Sequence, residues 1–218
     1  MIIDITKVPT FYINLDDAED KKRNTEKLLK KLKFENVERF PAVLDESKNI
    51  GCNISHMNVL QKIVDENIYP SLVLEDDIGI KSMRRQIEVP DDADAIYVGI
   101  SKFGYLPQVN LSKSWSRQVL RASDIDKEYH RTHNMLSSHA ILRLNRDYDI
   151  ACINQMQKVI DNPEKYVTND VAVAMIHPKY NIYALNDPIF YQDDIRTDKF
   201  TKFELKDHKK VVSVKRTR

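Results

Sequence analysis

Short runs of β-branched and aromatic residues alternate along this chain with stretches whose apolar positions recur every three or four residues. Residues 10–15 (TFYINL) form the first such run and predict a strand, closed by Asp16 and Asp17. Residues 18–34 are dense in Lys and Glu, with Leu28, Leu29 and Leu32 at helical spacing. A short strand is expected at 40–43 after Val37, and the polar stretch 45–50 leads to Gly51. Ser55 predicts the N-cap of a helix running to Asp65, with Met57, Leu60, Ile63 and Val64 on its inner face. After Pro70, residues 71–74 predict a buried strand that runs directly into Glu75, Asp76 and Asp77. Residues 95–100 (AIYVGI) predict another, and 103–129, with Gly104 and Pro107, predict long loops and a hairpin. A strand at 138–144, helices at 147–160 and 170–176, and a final strand at 180–184 follow. Strands alternating with helices predict an α/β fold, a mostly parallel central sheet flanked by helices.

Composition narrows the classes. Lys plus Arg (34) nearly cancels Asp plus Glu (33) in 218 residues, leaving +1, too little positive charge for a bulk nucleic-acid binder. A specific anion pocket needs only a few well-placed cations. Cys52 and Cys152 offer neither a disulfide framework nor metal-ligand spacing, which points to a reducing compartment. Residues 1–10 carry Asp4 and Lys7 and lack the apolar run of a signal peptide. No stretch approaches the roughly 20 apolar residues that cross a bilayer. The expected location is the cytoplasm. The Lys-, Asn- and Ile-leaning composition fits a low-GC bacterium or a large DNA virus, and a viral source would make it the host cytoplasm. The basic tail, 205–218, suits peripheral contact with an acidic membrane surface or another protein, or a solvated frayed end.

The run Leu72-Val73-Leu74-Glu75-Asp76-Asp77 carries the most chemistry. Ligands of open α/β sheets sit outside the carboxyl ends of the strands. Three adjacent carboxylates there repel one another unless a cation compensates, and Mg²⁺ or Mn²⁺ matches oxygen ligands joined by substrate phosphates. The alternatives are a metal–diphosphate platform and a solvated acidic turn. Gly51 reads as a backbone conformation other residues avoid. His56, placed in the first turn of its helix, reads as a ligand to donor sugar or phosphate, or as a satisfied, partly buried histidine.

Phe11-Tyr12-Ile13-Asn14-Leu15, then Gly51-Cys52-Asn53-Ile54-Ser55-His56, then the strand ending in Glu75-Asp76-Asp77 together resemble glycosyltransferase family 25, which includes lipopolysaccharide glycosyltransferases and collagen galactosyltransferase domains. The resemblance is strong over 10–80. It is weaker over 138–191, where Ser138-His139-Ala140, Asn169-Asp170-Val171-Ala172 and Pro188-Ile189-Phe190-Tyr191-Gln192 look like later family segments. It implies a GT-A (Rossmann-like) fold and a single glycosyltransferase domain over 1–218. The donor-binding part would be about 1–100 and the acceptor side about 101–200.

The implied activity is metal-dependent, inverting transfer from a nucleotide-diphosphate sugar, UDP-linked by expectation, to the hydroxyl of a lipid-, polysaccharide- or protein-linked glycan. Asp77 is implied as principal ligand of Mn²⁺ or Mg²⁺, Asp76 as a second or water-mediated ligand, and Glu75 as reaching ribose or sugar. Tyr12, Ile13 and Asn14 are placed beside nucleobase or ribose, with core and surface alternation as the other reading of Tyr12 and Ile13, and with His56 also on the donor. Where the family has a basic residue soon after Asn-Leu, this chain has Asp16 and Asp17. Lys21, Lys22 or Arg23 takes over the anion contact, Arg23 being the residue assigned, the alternative for most of the cluster being a solvated helix face.

Inversion requires a base within reach of the acceptor hydroxyl. Asp170 is the first choice, set against ordinary capping of the helix it opens. His139, His177, Asp193 and Asp194 are further candidates. His177 reads as a second metal ligand or a surface-loop residue, and His130 with His133 as an incidental pair. Tyr105, Trp115 and Tyr129 offer faces for sugar, or core packing. Two other functions stand beside this one. A sugar nucleotidyltransferase would need a Gly-rich phosphate loop, and the chain has four glycines. A non-catalytic nucleotide-sugar-binding module would bind donor without turnover.

Overall fold

The structure, a computed structural model, describes residues 1–101, 103–105, 120–162 and 168–192. The order is β1 (Ile2–Asp4), β2 (Thr10–Asn14), α1 (Glu19–Leu32), β3 (Val37–Pro41), α2 (Lys48–Asp65), β4 (Ser71–Glu75), β5 (Ile78–Ile80), β6 (Gln86–Glu88) and β7 (Ala95–Tyr97). Then come β8 (Ala122–Asp124), β9 (Tyr129–Thr132), β10 (Ala140–Arg143), α3 (Arg146–Asp161), α4 (Asn169–Ala174), a 3-10 turn at His177–Lys179, β11 (Ile182–Leu185) and β12 (Phe190–Gln192).

Eight strands form one sheet in the order β3-β2-β4-β10-β7-β11-β9-β8, and two ribbons, β1-β6 and β12-β5, stand beside it. The α/β class is as the alternation of patterns predicts. The sheet is mixed, however: β2 runs parallel to β3 and β4, and β7 to β11, while β10 lies antiparallel between β4 and β7. β9 and β8 continue antiparallel beyond β11. Strands β2, β4, β7 and β11 therefore share a direction, and their carboxyl ends line one edge together with the amino end of β10.

The central strands are buried on both faces, which is why they read as continuous apolar runs. Phe11, Ile13, Val73, Tyr97 and Ile141 face one core with Val59, Leu60 and Ile63 of α2 and Tyr148, Cys152 and Met156 of α3. Tyr12, Leu72, Leu74 and Ile96 face the other, with Leu29 and Leu32 of α1 and Ile3 and Ile87 of the β1–β6 ribbon. Helix α1 carries Glu19 and Asp20 in its first turn and Lys30 and Lys31 in its last, each sign opposing the dipole end it sits on. Lys33 closes it in the left-handed region (φ 64°).

Three expectations about α2 are corrected. The helix begins at Lys48 with Ser47 as its N-cap, so Ser55 lies inside it, and His56 lies in its third turn rather than its first. The Ser55 hydroxyl donates to Gly51 O (2.6 Å) and accepts from Val43 N–H (2.8 Å), pinning the preceding loop to the helix. Gly51 has no positive φ. A Cβ there would lie 2.5 Å from Val43 O, so glycine serves close approach of the same loop.

His177 is corrected as well. It is fully buried, its Nε2 3.1 Å from the Tyr97 hydroxyl, inside the core rather than on a loop. Tyr129 is core too, its ring edge-on to Tyr183. Among the described residues no helix is long and apolar enough to cross a membrane.

Candidate active site

Strand β4 ends at Glu75 on the shared carboxyl edge, and Asp76 and Asp77 form the turn into β5. Asp76 is the most thoroughly held of the three. Asn14, at the end of β2, donates its side-chain N–H to Asp76 Oδ2 (2.8 Å), and Lys21 Nζ lies 2.9 Å from Oδ1. The Thr25 hydroxyl donates to the Asp76 carbonyl (3.1 Å). Lys21 and Thr25 are one helical turn apart, so a single face of α1 meets the turn. Arg39 on β3 donates through Nε to Asn14 Oδ1 (2.9 Å) and through Nη2 to Asn14 O (3.0 Å). With its oxygen taken, the Asn14 amide can present only N–H to Asp76.

Glu75 faces α2. Its Oε1 lies 3.1 Å from His56 Nε2. Burial alone would push the imidazole down, but hydrogen bonds to Cys52, one turn earlier, and to Glu75 outweigh it and hold His56 up at about 10. Burial likewise opposes ionisation of Glu75, and the His56 contact outweighs it, holding the carboxyl below its ordinary value. The two form an ion pair.

Asp77 differs. Gln192 of β12 donates to its Oδ2 (3.1 Å), while Oδ1 is buried and has no hydrogen-bond partner among the described residues. Burial and the neighbouring Glu75 charge raise this carboxyl to about 7. An orphaned carboxylate oxygen suits a hard cation. Among the described residues no three His, Cys, Asp or Glu side chains converge as a metal cage. Mg²⁺-type sites nevertheless often take only one or two carboxylates and complete the shell with water and substrate phosphate. Asp77 fits that pattern. Asp76, with both oxygens already accepting, fits it less well.

The remaining candidates divide. Tyr12 points away from the acids, its hydroxyl donating to Glu26 (2.7 Å), and with Arg39, Leu29, Lys33 and Phe34 it lines a groove of about 550 Å³ between α1 and β3. Ile13 is packed in the α2–α3 core. Arg23 lies on the exposed face of α1, paired with Asp20, so Lys21 and not Arg23 reaches the turn.

Asp170, in the first turn of α4, is half-buried and accepts from the Thr168 hydroxyl and from Val171 N–H. Burial raises its carboxyl and the Glu75 charge adds to this, against the Thr168 contact. His139 is 1% exposed, with Nδ1 2.7 Å from Ser137 Oγ and Nε2 lying over Gly99. His130 bonds to Asn186, just beyond β11, and His133 to Ser123 of β8. Asp193, Asp194, Trp115 and the basic tail lie outside the described residues.

Sequence reasoning missed Arg39, assigned no role to Gln192, and overlooked Asn169 as a contact. Each acts across the fold, and Gln192 and Asn169 carried a signal, as the last and first residues of family-like segments, whereas Arg39 carried none.

The model of glycosyltransferase family 25 (LPS biosynthesis protein) matches residues 17–113. No curated protein matches the sequence significantly. Among solved structures, a glycosyltransferase involved in the glycosylation of the major capsid of PBCV-1 is similar over 82% of this chain and 92% of its own, with 9% identity and a TM-score of 0.43. A nucleoside-diphosphate-sugar pyrophosphorylase from Vibrio cholerae RC9 is similar over 83% of this chain and 73% of its own, with 8% identity and a TM-score of 0.41. TM-scores below 0.5 leave both as distant likenesses. The acidic turn, Lys21, Thr25, Arg39 and His56 all fall inside the stretch that is similar to the family 25 glycosyltransferases.

Proposed function

We propose that this chain is a glycosyltransferase that uses a nucleotide-diphosphate sugar, UDP-linked, in a GT-A-type site, with Mn²⁺ or Mg²⁺ held by Asp77, and transfers the sugar with inversion to a glycan hydroxyl. The observation that carries the reading is the buried, unpartnered Asp77 Oδ1 at the carboxyl end of β4. A divalent ion there supplies charge neutralisation for the leaving diphosphate.

The chain's own residues do the rest. The His56–Glu75 pair presents the second Glu75 oxygen to a ribose or sugar hydroxyl. Lys21, beside Asp76, adds positive charge at the edge where a diphosphate would lie. Asp170 accepts the acceptor's proton as that oxygen bonds to the anomeric carbon. The bond from that carbon to the diphosphate oxygen breaks, and the diphosphate leaves with the electron pair. A carboxylate raised by burial is a better base near neutral pH than an exposed one.

The test is nucleotide release from UDP-hexoses with and without Mn²⁺. Asp77→Asn is expected to abolish the metal-dependent part and leave the fold intact. Metal-dependent turnover surviving in that variant would overturn the assignment. Asp170→Asn is expected to cost about 10²–10⁴ in turnover, the usual range for a lost general base. Donor binding that persists in every variant, with no release from the wild type either, would instead identify a binding module.

A further inference from the structure

Asn169 is the first residue of α4 and immediately precedes Asp170. It is 5% exposed, and its side chain is spent in two directions. Its amide donates to Ser138 Oγ at 2.9 Å, and its carbonyl oxygen accepts from the Cys52 thiol at 3.5 Å. Both partners lead to Glu75 through one intervening residue. Ser138 adjoins His139, whose backbone carbonyl accepts from Glu75 N–H at 2.9 Å. Cys52 lies one turn before His56, whose ring holds the Glu75 carboxylate.

Among the described residues, the hydrogen bonds of the Asp170 side chain go to its immediate neighbours Thr168 and Val171, which fix it to its own helix. The apolar side of α4, Val171 to Ala174, packs against the core and Leu136. Apolar packing is non-directional and leaves rotation and slide of a six-residue helix weakly specified, whereas two hydrogen bonds from one planar amide specify both.

We infer that Asn169 is a positioning residue: by bridging α2 and the amino end of β10 it sets the distance between Asp170 and the Glu75–Asp77 turn, coupling the acceptor side of the site to the donor side. This rests on Asp170 acting as the base. Asn169 touches neither substrate.

The test measures nucleotide release from UDP-glucose and UDP-galactose with Mn²⁺ and water as acceptor, in a double-mutant cycle. Asn169→Ala should lower kcat about 10–100-fold, the scale of an ångström-size misplacement, with KM for the UDP-hexose within about twofold. In the Asp170→Asn background the same change should cost less than about twofold, because the group it positions is already gone. Ser138→Ala, which removes one of the two bonds, should give the same split at smaller size and guards against a folding defect in Asn169→Ala.

Alkylation of Cys52 by iodoacetamide, followed by mass spectrometry, is expected to accelerate in Asn169→Ala; Cys152 is buried and serves as the control. Unchanged alkylation would show that no bridge existed. Full, independent loss in the Asp170→Asn background, or a loss confined to KM, would make Asn169 merely structural. If Asp170→Asn turns over normally, the base assignment fails; if it is inactive and Asn169→Ala is normal, only the present inference fails.

Discussion

At the scale of single residues, the core holds imidazoles that stay neutral. Burial, reinforced by the Arg143 charge, pushes His177 down to about 3, and burial pushes His139 to about 4, against an ordinary 6.5. Below pH 6.5 the unfolded chain takes up protons that the folded chain refuses, so stability falls as pH drops, until the folded values are reached near 3 to 4. At pH 5 each residue then costs ~2 kcal/mol relative to neutral pH, from 1.36 kcal/mol per pKa unit. His177→Gln keeps an acceptor for the Tyr97 hydroxyl but does not titrate. Thermal unfolding at pH 7 and pH 5 should therefore show a smaller Tm drop in the variant than in the wild type. Equal drops would mean that the wild-type imidazole charges freely inside the fold. Another residue-scale distinction explains the failure of Arg23. Positions 21 and 23 point roughly 200° apart on a helix, whereas 21 and 25 share a face, so only Lys21 joins Thr25 at Asp76.

At the scale of elements, the junction of β7 and β10 has no slack. A Cβ on Gly99 would lie 2.2 Å from His139 Nε2 and 3.0 Å from Ala140 Cβ, and His139 is too buried to swing away. Gly99→Ala is expected to cost ~1–3 kcal/mol through overpacking, read as a lower urea midpoint at unchanged m-value. A midpoint equal to the wild type would show that the imidazole has room to move. Which elements the sequence disclosed follows from the same packing. β2 and β4 are buried on both faces and therefore read as unbroken apolar runs. The Leu spacing of α1 is visible because its outer face is nearly all charged. The start of α2 was hidden by the polar stretch around Ser47, and by Ser55, whose hydroxyl bonds back to the Gly51 carbonyl like a mid-helix serine. β1, β5, β6 and β12 have three residues each, too few for a period of two to register. The insertion of β10 between β4 and β7 is a pairing across some 70 and 45 positions of chain, which no local pattern encodes. The site divides along the same line. The acids announce themselves as a run at a strand end, while Arg39, Gln192 and Asn169 matter only through partners 25, 115 and 117 positions away.

At the scale of the whole molecule, the acidic turn is where separate parts of the chain are tied together. Asn14 from β2, Lys21 and Thr25 from α1, His56 from α2 and Gln192 from β12 all converge on Glu75, Asp76 and Asp77. The sheet beneath interleaves early and late strands, β4-β10-β7-β11, so loosening the turn loosens an edge shared by both halves. A ligand that binds only the folded turn must then raise global stability by mass action, about 2.7 kcal/mol at a hundred times its dissociation constant. For a chain of this size that corresponds to ~2–4 °C per kcal/mol, or a Tm increase of roughly 5–10 °C. The increase is expected with UDP and MnCl₂ together, to be much smaller with UDP alone, and to vanish in Asp77→Asn. This readout needs neither the acceptor nor the right sugar. A shift of equal size without manganese, or an undiminished shift in Asp77→Asn, would move the nucleotide away from the Asp77 carboxylate and leave Lys21 and Arg39 as the charges able to receive its phosphates.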